Sequence, residues 1–213
     1  MEPTLSTFSI IMSVCDDACL IEENLPSFLE QEYEPGYEVI VVDESSTDNT
    51  ADVLKLQKNT HPNLYTTFLP RPNRQVNRPR LALTLGVKAA KNDWVVLTAI
   101  STPPPSSQWL AELSAAASAS IALILGYVNR KTGDVRLQTF ETVDDARRII
   151  SKTERRKANG HQGRWLRYLL GKYDFVAVRR ADGHEALKLF ERDIRGSSLL
   201  ACKVGTFIHN LFQ

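Results

Sequence analysis

The amino-acid sequence predicts an α/β fold in which a mostly parallel central sheet is flanked by helices, and three observations support this prediction. Four short apolar runs rich in β-branched residues lie in the first half, as expected for strands covered on both faces. Segments with helical periodicity separate these runs, and parallel strands need such crossovers. The 213 residues with 43% hydrophobic content are ordinary for one globular domain, which excludes a disordered or fibrous chain.

The elements of the first half can be placed in chain order. Strands are expected at residues 8–14, 37–42, 64–69 and 94–98. The first helix is expected at residues 21–31 and the third at residues 81–90. The second helix is expected to begin within residues 47–50, with Thr47 or Asp48 as its N-cap. Ligands of such sheets bind outside the carboxyl ends of the strands. The candidate site segments are therefore residues 15–17, 43–48 and 98–105.

The second half has a weaker pattern. Strands are expected at residues 121–127 and 173–178, and helices at 143–157, 165–170 and 183–192. The first of these helices is basic, and Asp144 and Asp145 are favourable charges at its N-terminus. Neither a repeat nor a domain boundary is evident, so one domain over residues 1–213 is expected.

Net charge, cysteine content and apolar segments indicate which partners and which cellular compartment to expect. The 26 basic and 25 acidic residues leave a net charge of +1, which argues against a nucleic-acid binder. An odd number of cysteines, Cys15, Cys19 and Cys202, fits reduced thiols in a cytoplasmic protein. Residues 1–12 lack signal-peptide features, and the small-apolar stretch 115–125 is too short to span a membrane. Peripheral membrane contact, for example at the inner face, stays open.

Acidic residues follow the first two predicted strands. Asp16 and Asp17 come after the first strand, and Asp43 and Glu44 come after the second. Carboxylates at a strand end can accept hydrogen bonds from a nucleobase N–H or a ribose hydroxyl. The alternative for residues 43–48 is a loop that only caps the next helix. Because both strand ends are acidic, a binding cleft is expected at this edge of the sheet.

Four segments follow one another in a recognisable order. The apolar strand at residues 9–17 ends in an acidic pair, residues 37–50 form a strand that ends in Val-Asp-Glu-Ser-Ser-Thr-Asp, and residues 80–94 and 95–110 supply a helix, a strand and a further helix. Taken together, these segments resemble family 2 glycosyltransferases, whose second strand ends in Val-Asp-Asp-Gly-Ser-Thr-Asp, in particular a short bacterial subgroup common in Bacteroidetes. The resemblance implies a GT-A fold, with a nucleotide-binding half at residues 1–126 and a divergent, shortened acceptor-side half at 127–213.

The same resemblance implies roles for individual residues. The family transfers a sugar from a UDP- or GDP-linked donor to a glycan or lipid acceptor. Four arginines lie within residues 71–80, which suits a diphosphate; a solvated basic loop is the alternative. On this resemblance, the residues that would contact the nucleotide-sugar are Asp16, Asp17, Asp43, Glu44, Arg78 and Arg80.

One departure from the family concerns the metal site. Family members carry Asp-x-Asp after the fourth strand, and its carboxylates hold Mn²⁺ or Mg²⁺ on the diphosphate. Here the corresponding residues are Ala99, Ile100 and Ser101, which offer no anionic ligand. The sequence therefore predicts that the ordinary metal site is missing, with no metal ligands to name.

A second departure concerns the catalytic base. Inverting members use a carboxylate in the second half, and Asp193 is the candidate here, against the alternative of an exposed acid at a helix end. The fragment from His161 to Trp165 is similar to the Gln-x-x-Arg-Trp motif of processive members. Its first position differs and no catalytic acid precedes it, so a chance match is the alternative.

These observations leave two functions open. The chain is either an active, metal-independent glycosyltransferase, in which Arg78, Arg80 or Arg164 offsets the charge of the leaving diphosphate, or a catalytically inactive relative that serves as a nucleotide-binding or scaffold module. A nucleotidyltransferase of related fold is weaker, because no glycine-rich phosphate loop follows the first strand. The sequence does not identify the sugar, the acceptor or the oligomeric state.

Overall fold

The computed structural model describes residues 6–70, 78–129, 132–148 and 174–189. The strands are β1 (Phe8–Val14), β2 (Tyr37–Asp43), β3 (Leu64–Phe68), β4 (Trp94–Thr98), β5 (Leu123–Val128), β6 (Val135–Phe140) and β7 (Phe175–Arg179). The helices are α1 (Ala18–Leu29), α2 (Thr50–Thr60), α3 (Arg78–Ala89), α4 (Trp109–Ala116), the described helical residues 143–148 (α5) and α6 (Gly183–Leu189), which follows a 3₁₀ turn at Arg180–Asp182.

The sheet has seven strands in the order β3-β2-β1-β4-β7-β5-β6. Strands β3, β2, β1 and β4 run parallel. Strands β1, β2 and β4 are mostly apolar and buried between helices, whereas the edge strand β3 is mostly exposed after Leu64. The four predicted strands of the first half agree with these to within one residue. The predicted α/β fold, with helices flanking a central sheet, is therefore confirmed.

The second half of the sheet is antiparallel. Strand β7 pairs antiparallel with β4 on one side and with β5 on the other, and β5 pairs antiparallel with β6. In the described ranges the sheet is therefore mixed, with three parallel and three antiparallel pairings. The sequence pattern did not predict β6, because only one residue of this edge strand is buried and its apolar alternation is partial.

Apolar clusters pack on both faces of the sheet. One joins alternate residues of β1 and β2 to helices α1, α2 and α4, and the other joins the remaining strand residues to α3 and α6. Helix α3 lies close to β1 because Gly86 has no side chain: a Cβ there would stand 2.3 Å from Ile11 Cγ2. This close packing brings the first turn of α3 beside the carboxyl end of the sheet.

The helix starts differ from prediction in three places. Helices α1 and α3 begin at Ala18 and Arg78, each three residues before the predicted start. Helix α2 begins at Thr50 with Asn49 rather than Thr47 or Asp48 as N-cap. The helix expected at residues 165–170 lies outside the described residues. Among the described helices, none combines the length and the apolar character that crossing a membrane requires.

Candidate functional site

The loops that follow β1 and β2 are joined by hydrogen bonds. Asp16 adopts a left-handed backbone conformation with φ 56°, and its Oδ1 accepts bonds from Thr47 N at 2.5 Å, Thr47 Oγ1 at 3.1 Å and Asp48 N at 3.3 Å. The Asp16 N–H donates to Ser46 Oγ at 2.9 Å. The predicted meeting of two acidic strand ends is therefore present, and Asp16 helps to hold the two loops together.

Asp17 and Asp48 bind the starts of the following helices. Asp48 accepts from Ala18 N at 3.1 Å and from Thr50 N at 3.0 Å. Asp17 accepts from Cys15 N at 3.0 Å, and its own N–H donates to Thr50 Oγ1 at 3.2 Å. Burial raises the pKa of Asp17; the bond from Cys15 opposes this and the nearby carboxylates Asp48 and Asp16 add to it.

Asp43 and Glu44 lie at the end of β2 and are largely buried. Asp43 is 7% exposed, and its Oδ1 accepts from Ser46 N at 2.9 Å and Ser46 Oγ at 2.7 Å. Glu44 is 8% exposed, and its N–H donates to Val14 O at 2.9 Å. Burial raises the pKa of Glu44, against a hydrogen bond with Ser13 and the positive charge of Arg78. The carboxyl group of Glu44 is therefore costly to ionise without a partner.

Arg78 reaches the same edge from the start of α3. Its Nη2 donates to Glu44 O, to Ser45 Oγ at 3.1 Å and to Leu69 O at 3.0 Å, and its Nη1 donates to Pro70 O at 3.2 Å. Arg80 is half-buried in the same helical turn. The structure thus brings Arg78 to the strand end that carries Asp43.

The end of β4 does not fit a divalent cation. Ala99 and Ser101 are exposed and provide no carboxylate, while Ile100 is 3% exposed and belongs to the core. Thr102 closes the turn by donating to Ala99 O from its backbone N at 3.0 Å and from Oγ1 at 2.8 Å. Across the described ranges, no three His, Cys, Asp or Glu side chains are grouped to hold a metal. The residues present at this turn therefore do not form the metal site that the fold suggests.

An open pocket of about 320 Å³ lies beyond this turn. Its lining includes the three prolines 103–105, Val128 and Asp174. Asp174 Oδ2 accepts from Val128 N at 2.7 Å, and its carbonyl accepts from Thr98 Oγ1 at 3.3 Å. No sequence pattern indicates Asp174 as a site residue, because only the antiparallel pairing of β7 with β4 brings it beside residue 98.

Several predicted site residues lie outside the described residues. These are Asp193, the fragment from His161 to Trp165 with Arg164, and the part of the basic loop at 71–77.

Comparisons with known proteins agree with this architecture. Residues 9–98 match the family model described as Glycosyl transferase family 2. A mannosyltransferase, PcManGT from Pyrobaculum calidifontis in complex with GDP-Man and Mn²⁺, is similar over 88% of this chain and 46% of its own, with 21% identity and a TM-score of 0.54. S. aureus TarS 1–349 in complex with UDP-GlcNAc is similar over 58% of this chain and 34% of its own, with 23% identity and a TM-score of 0.50.

These similarities establish the fold. This chain spans less than half the length of both solved structures. No curated protein sequence matches it significantly.

Proposed function

We propose that this chain, whose residues 9–98 match the family model described as Glycosyl transferase family 2, binds a UDP- or GDP-linked sugar at the ends of β1 and β2 and transfers the sugar to a glycan or lipid acceptor. The observation that carries this proposal is the group of half-buried and buried carboxylates Asp17, Asp43 and Glu44 at the joined strand ends. The GDP-Man and UDP-GlcNAc bound by the two similar structures support the same class of donor.

The proposed contacts follow from the chemistry of these groups. Carboxylates accept hydrogen bonds from the N–H groups of a base and from ribose hydroxyls, and they do so most strongly where water is excluded. We assign this role to Asp17, Asp43 and Glu44, with Asp16 supporting the loop that carries them. Arg80 is proposed to contact the diphosphate, since a guanidinium binds phosphate oxygens in a bidentate manner.

The turn after β4 favours a metal-independent mode of binding. With Ala99 and Ser101 in place of two carboxylates, charge on the diphosphate has to be offset by cationic side chains. The same observation supports a second candidate, a catalytically inactive module that retains only nucleotide binding. Asp193 remains the proposed base of an active enzyme, and residues 127–213 the proposed acceptor-side half.

A cytoplasmic location, with contact to the inner face of the membrane for a lipid acceptor, belongs to the same proposal. Cys15 and Cys19 form no disulfide in the described part of the chain, which fits a reducing compartment.

Calorimetric titration with UDP and GDP, each with and without manganese, tests this function. We expect one nucleotide to bind with an affinity that manganese changes less than about twofold, because no carboxylate is placed to bridge a cation to the diphosphate. An Asp43→Asn variant that unfolds like the wild type serves as the control and is expected to bind more weakly. The absence of heat from a folded protein with both nucleotides would contradict nucleotide binding.

Release of UDP or GDP from the matching nucleotide-sugars separates the two candidates. Turnover with an acceptor panel supports the transferase, and binding without turnover supports the inactive module.

Nucleotide binding is expected to weaken as the pH falls. Burial raises the pKa of both Asp17 and Glu44, so their carboxylate forms are lost at a higher pH than those of exposed acids, and with them the hydrogen-bond acceptors. The folded protein then holds these protons more tightly than the unfolded chain, so the contribution of both groups to stability falls as the pH rises.

The measurement is UDP affinity from about pH 4 to 8. Because UDP has its own phosphate titration, a Glu44→Gln variant provides the matched control, and the wild type should lose more affinity than this variant on acidification. Parallel pH profiles would contradict the role of Glu44.

A further inference from the structure

The turn after β2 has a backbone conformation that its sequence does not favour. Ser45 has φ 67°, in the left-handed region, which is unfavourable for a residue with a Cβ. Such a conformation persists only where surrounding contacts determine it. Ser45 Oγ donates to Leu69 O at 2.5 Å, which ties the turn to the exit of β3.

Arg78 completes this connection from a third segment. Its guanidinium donates to acceptors on both loops: to Glu44 O and Ser45 Oγ after β2, and to Leu69 O and Pro70 O after β3. Three of these acceptors share the two Nη2 hydrogens and the fourth bonds to Nη1, so this side of the guanidinium faces the ends of β2 and β3. A guanidinium used in this way acts as a brace between two loops.

We propose that Arg78 is a positioning residue for the nucleotide site, which holds the Glu44–Ser45 turn against the end of β3 and does not bind the diphosphate. This inference rests on the proposed nucleotide site, since Glu44 is one of its carboxylates. It divides the two arginines at the start of α3 into a brace, Arg78, and a candidate phosphate contact, Arg80.

The brace has a second effect through charge. Glu44 is buried beside Asp43 and Asp17, and the nearby positive charge of Arg78 favours its ionised form. Removing that charge is expected to raise the pKa of Glu44 further, while Asp17 and Asp43 act on it as before. Both the geometry of the turn and the protonation of its carboxyl therefore depend on Arg78.

Binding of uridine and UDP to Arg78→Gln distinguishes a brace from a phosphate contact. A brace acts on the base and ribose part of the site, so we expect both ligands to lose affinity by a similar factor of about ten, comparable with the loss of hydrogen bonds to a charged group. Arg78→Lys keeps the charge without the fork and should recover part of the loss. Lys58→Ala, an exposed change on α2, is the control for a lost positive charge. A loss confined to UDP, or no loss, would overturn the proposal.

Amide exchange and the titration of Glu44, measured without ligand, test the brace independently of the proposed nucleotide binding. In Arg78→Gln, the amide protons of Ser45 and Ser46 are expected to exchange faster, and the carboxyl carbon of Glu44 to titrate at higher pH, than in the wild type and in Lys58→Ala. Unchanged exchange and titration would overturn the brace even where nucleotides bind. Altered exchange in a protein that binds neither ligand would uphold the brace and reject the nucleotide function.

Discussion

Replacement of Ala99 and Ser101 together by aspartate is expected to make UDP binding depend on manganese, with an affinity about 100-fold higher in its presence than in its absence. Both side chains are exposed at the turn after β4, whereas Ile100 between them points into the core. New carboxylates at 99 and 101 would therefore stay hydrated and lie on the same side of the turn. Two carboxylates offer the oxygen ligands that Mn²⁺ and Mg²⁺ prefer.

Without a metal ion, the double substitution is expected to lower the affinity for UDP. Two added negative charges near a bound diphosphate raise its energy, so the double variant should bind UDP more weakly than the wild type in the presence of a chelator. Calorimetric titration in manganese and in chelator measures both effects on one protein. A double variant that binds UDP more tightly than the wild type in manganese, and more weakly in chelator, would identify a restored metal site.

The matched control places the same charges elsewhere. Ser118 and Ser120 are exposed, have the same spacing and lie before β5, at the opposite edge of the sheet from the turn after β4. Changing both to aspartate should leave UDP binding insensitive to manganese. If the double variant at 99 and 101 folds and still ignores manganese, the turn after β4 is not beside the diphosphate, and the proposed orientation of the nucleotide is wrong.

The parallel part of the fold could be predicted because its signal is local. Each of β1, β2 and β4 is a nearly continuous apolar run between helical segments, and the carboxyl ends of parallel strands meet at one edge. That topology alone predicted that residues 15–17 and 43–48 come together. The contact between Asp16 and Thr47 across the two loops agrees with this prediction.

The antiparallel part of the sheet and the contacts of Arg78 could not be predicted, because they join segments that are far apart in the sequence. The sequence indicates a strand near residues 173–178 but not that it pairs antiparallel with β4, so the position of Asp174 beside Thr98 could not be predicted. The partners of Arg78 likewise come from two separate loops. A basic residue near a predicted site suggests phosphate binding, and only the folded chain shows acceptors competing for the same guanidinium.

Substitution of Trp109 by alanine is expected to destabilise the protein by about 3–5 kcal/mol, the usual cost of removing a large buried aromatic side chain. Trp109 is 2% exposed and lies between two phenylalanines, with ring centroids 4.9 Å from Phe175 at 87° and 6.3 Å from Phe28 at 82°. These edge-to-face contacts join α4 to α1 and to β7. The substitution therefore removes packing that connects the parallel and antiparallel parts of the sheet.

Phenylalanine at the same position gives a sharper test. The indole Nε1 of Trp109 is buried without a hydrogen-bond partner among the described residues, and an unpaired buried donor costs about 1–3 kcal/mol. Trp109→Phe loses some packing volume but also removes this donor, so its cost should be less than half that of Trp109→Ala. Urea unfolding followed by circular dichroism measures both without relying on tryptophan fluorescence. A cost for Trp109→Phe of half the alanine cost or more would contradict a release of the unpaired donor's penalty. The unequal costs expected here would mean that Trp109 stabilises the sheet through its ring contacts. Because one of these contacts is with Phe175 in β7, the same packing also helps to fix the position of Asp174 at the pocket.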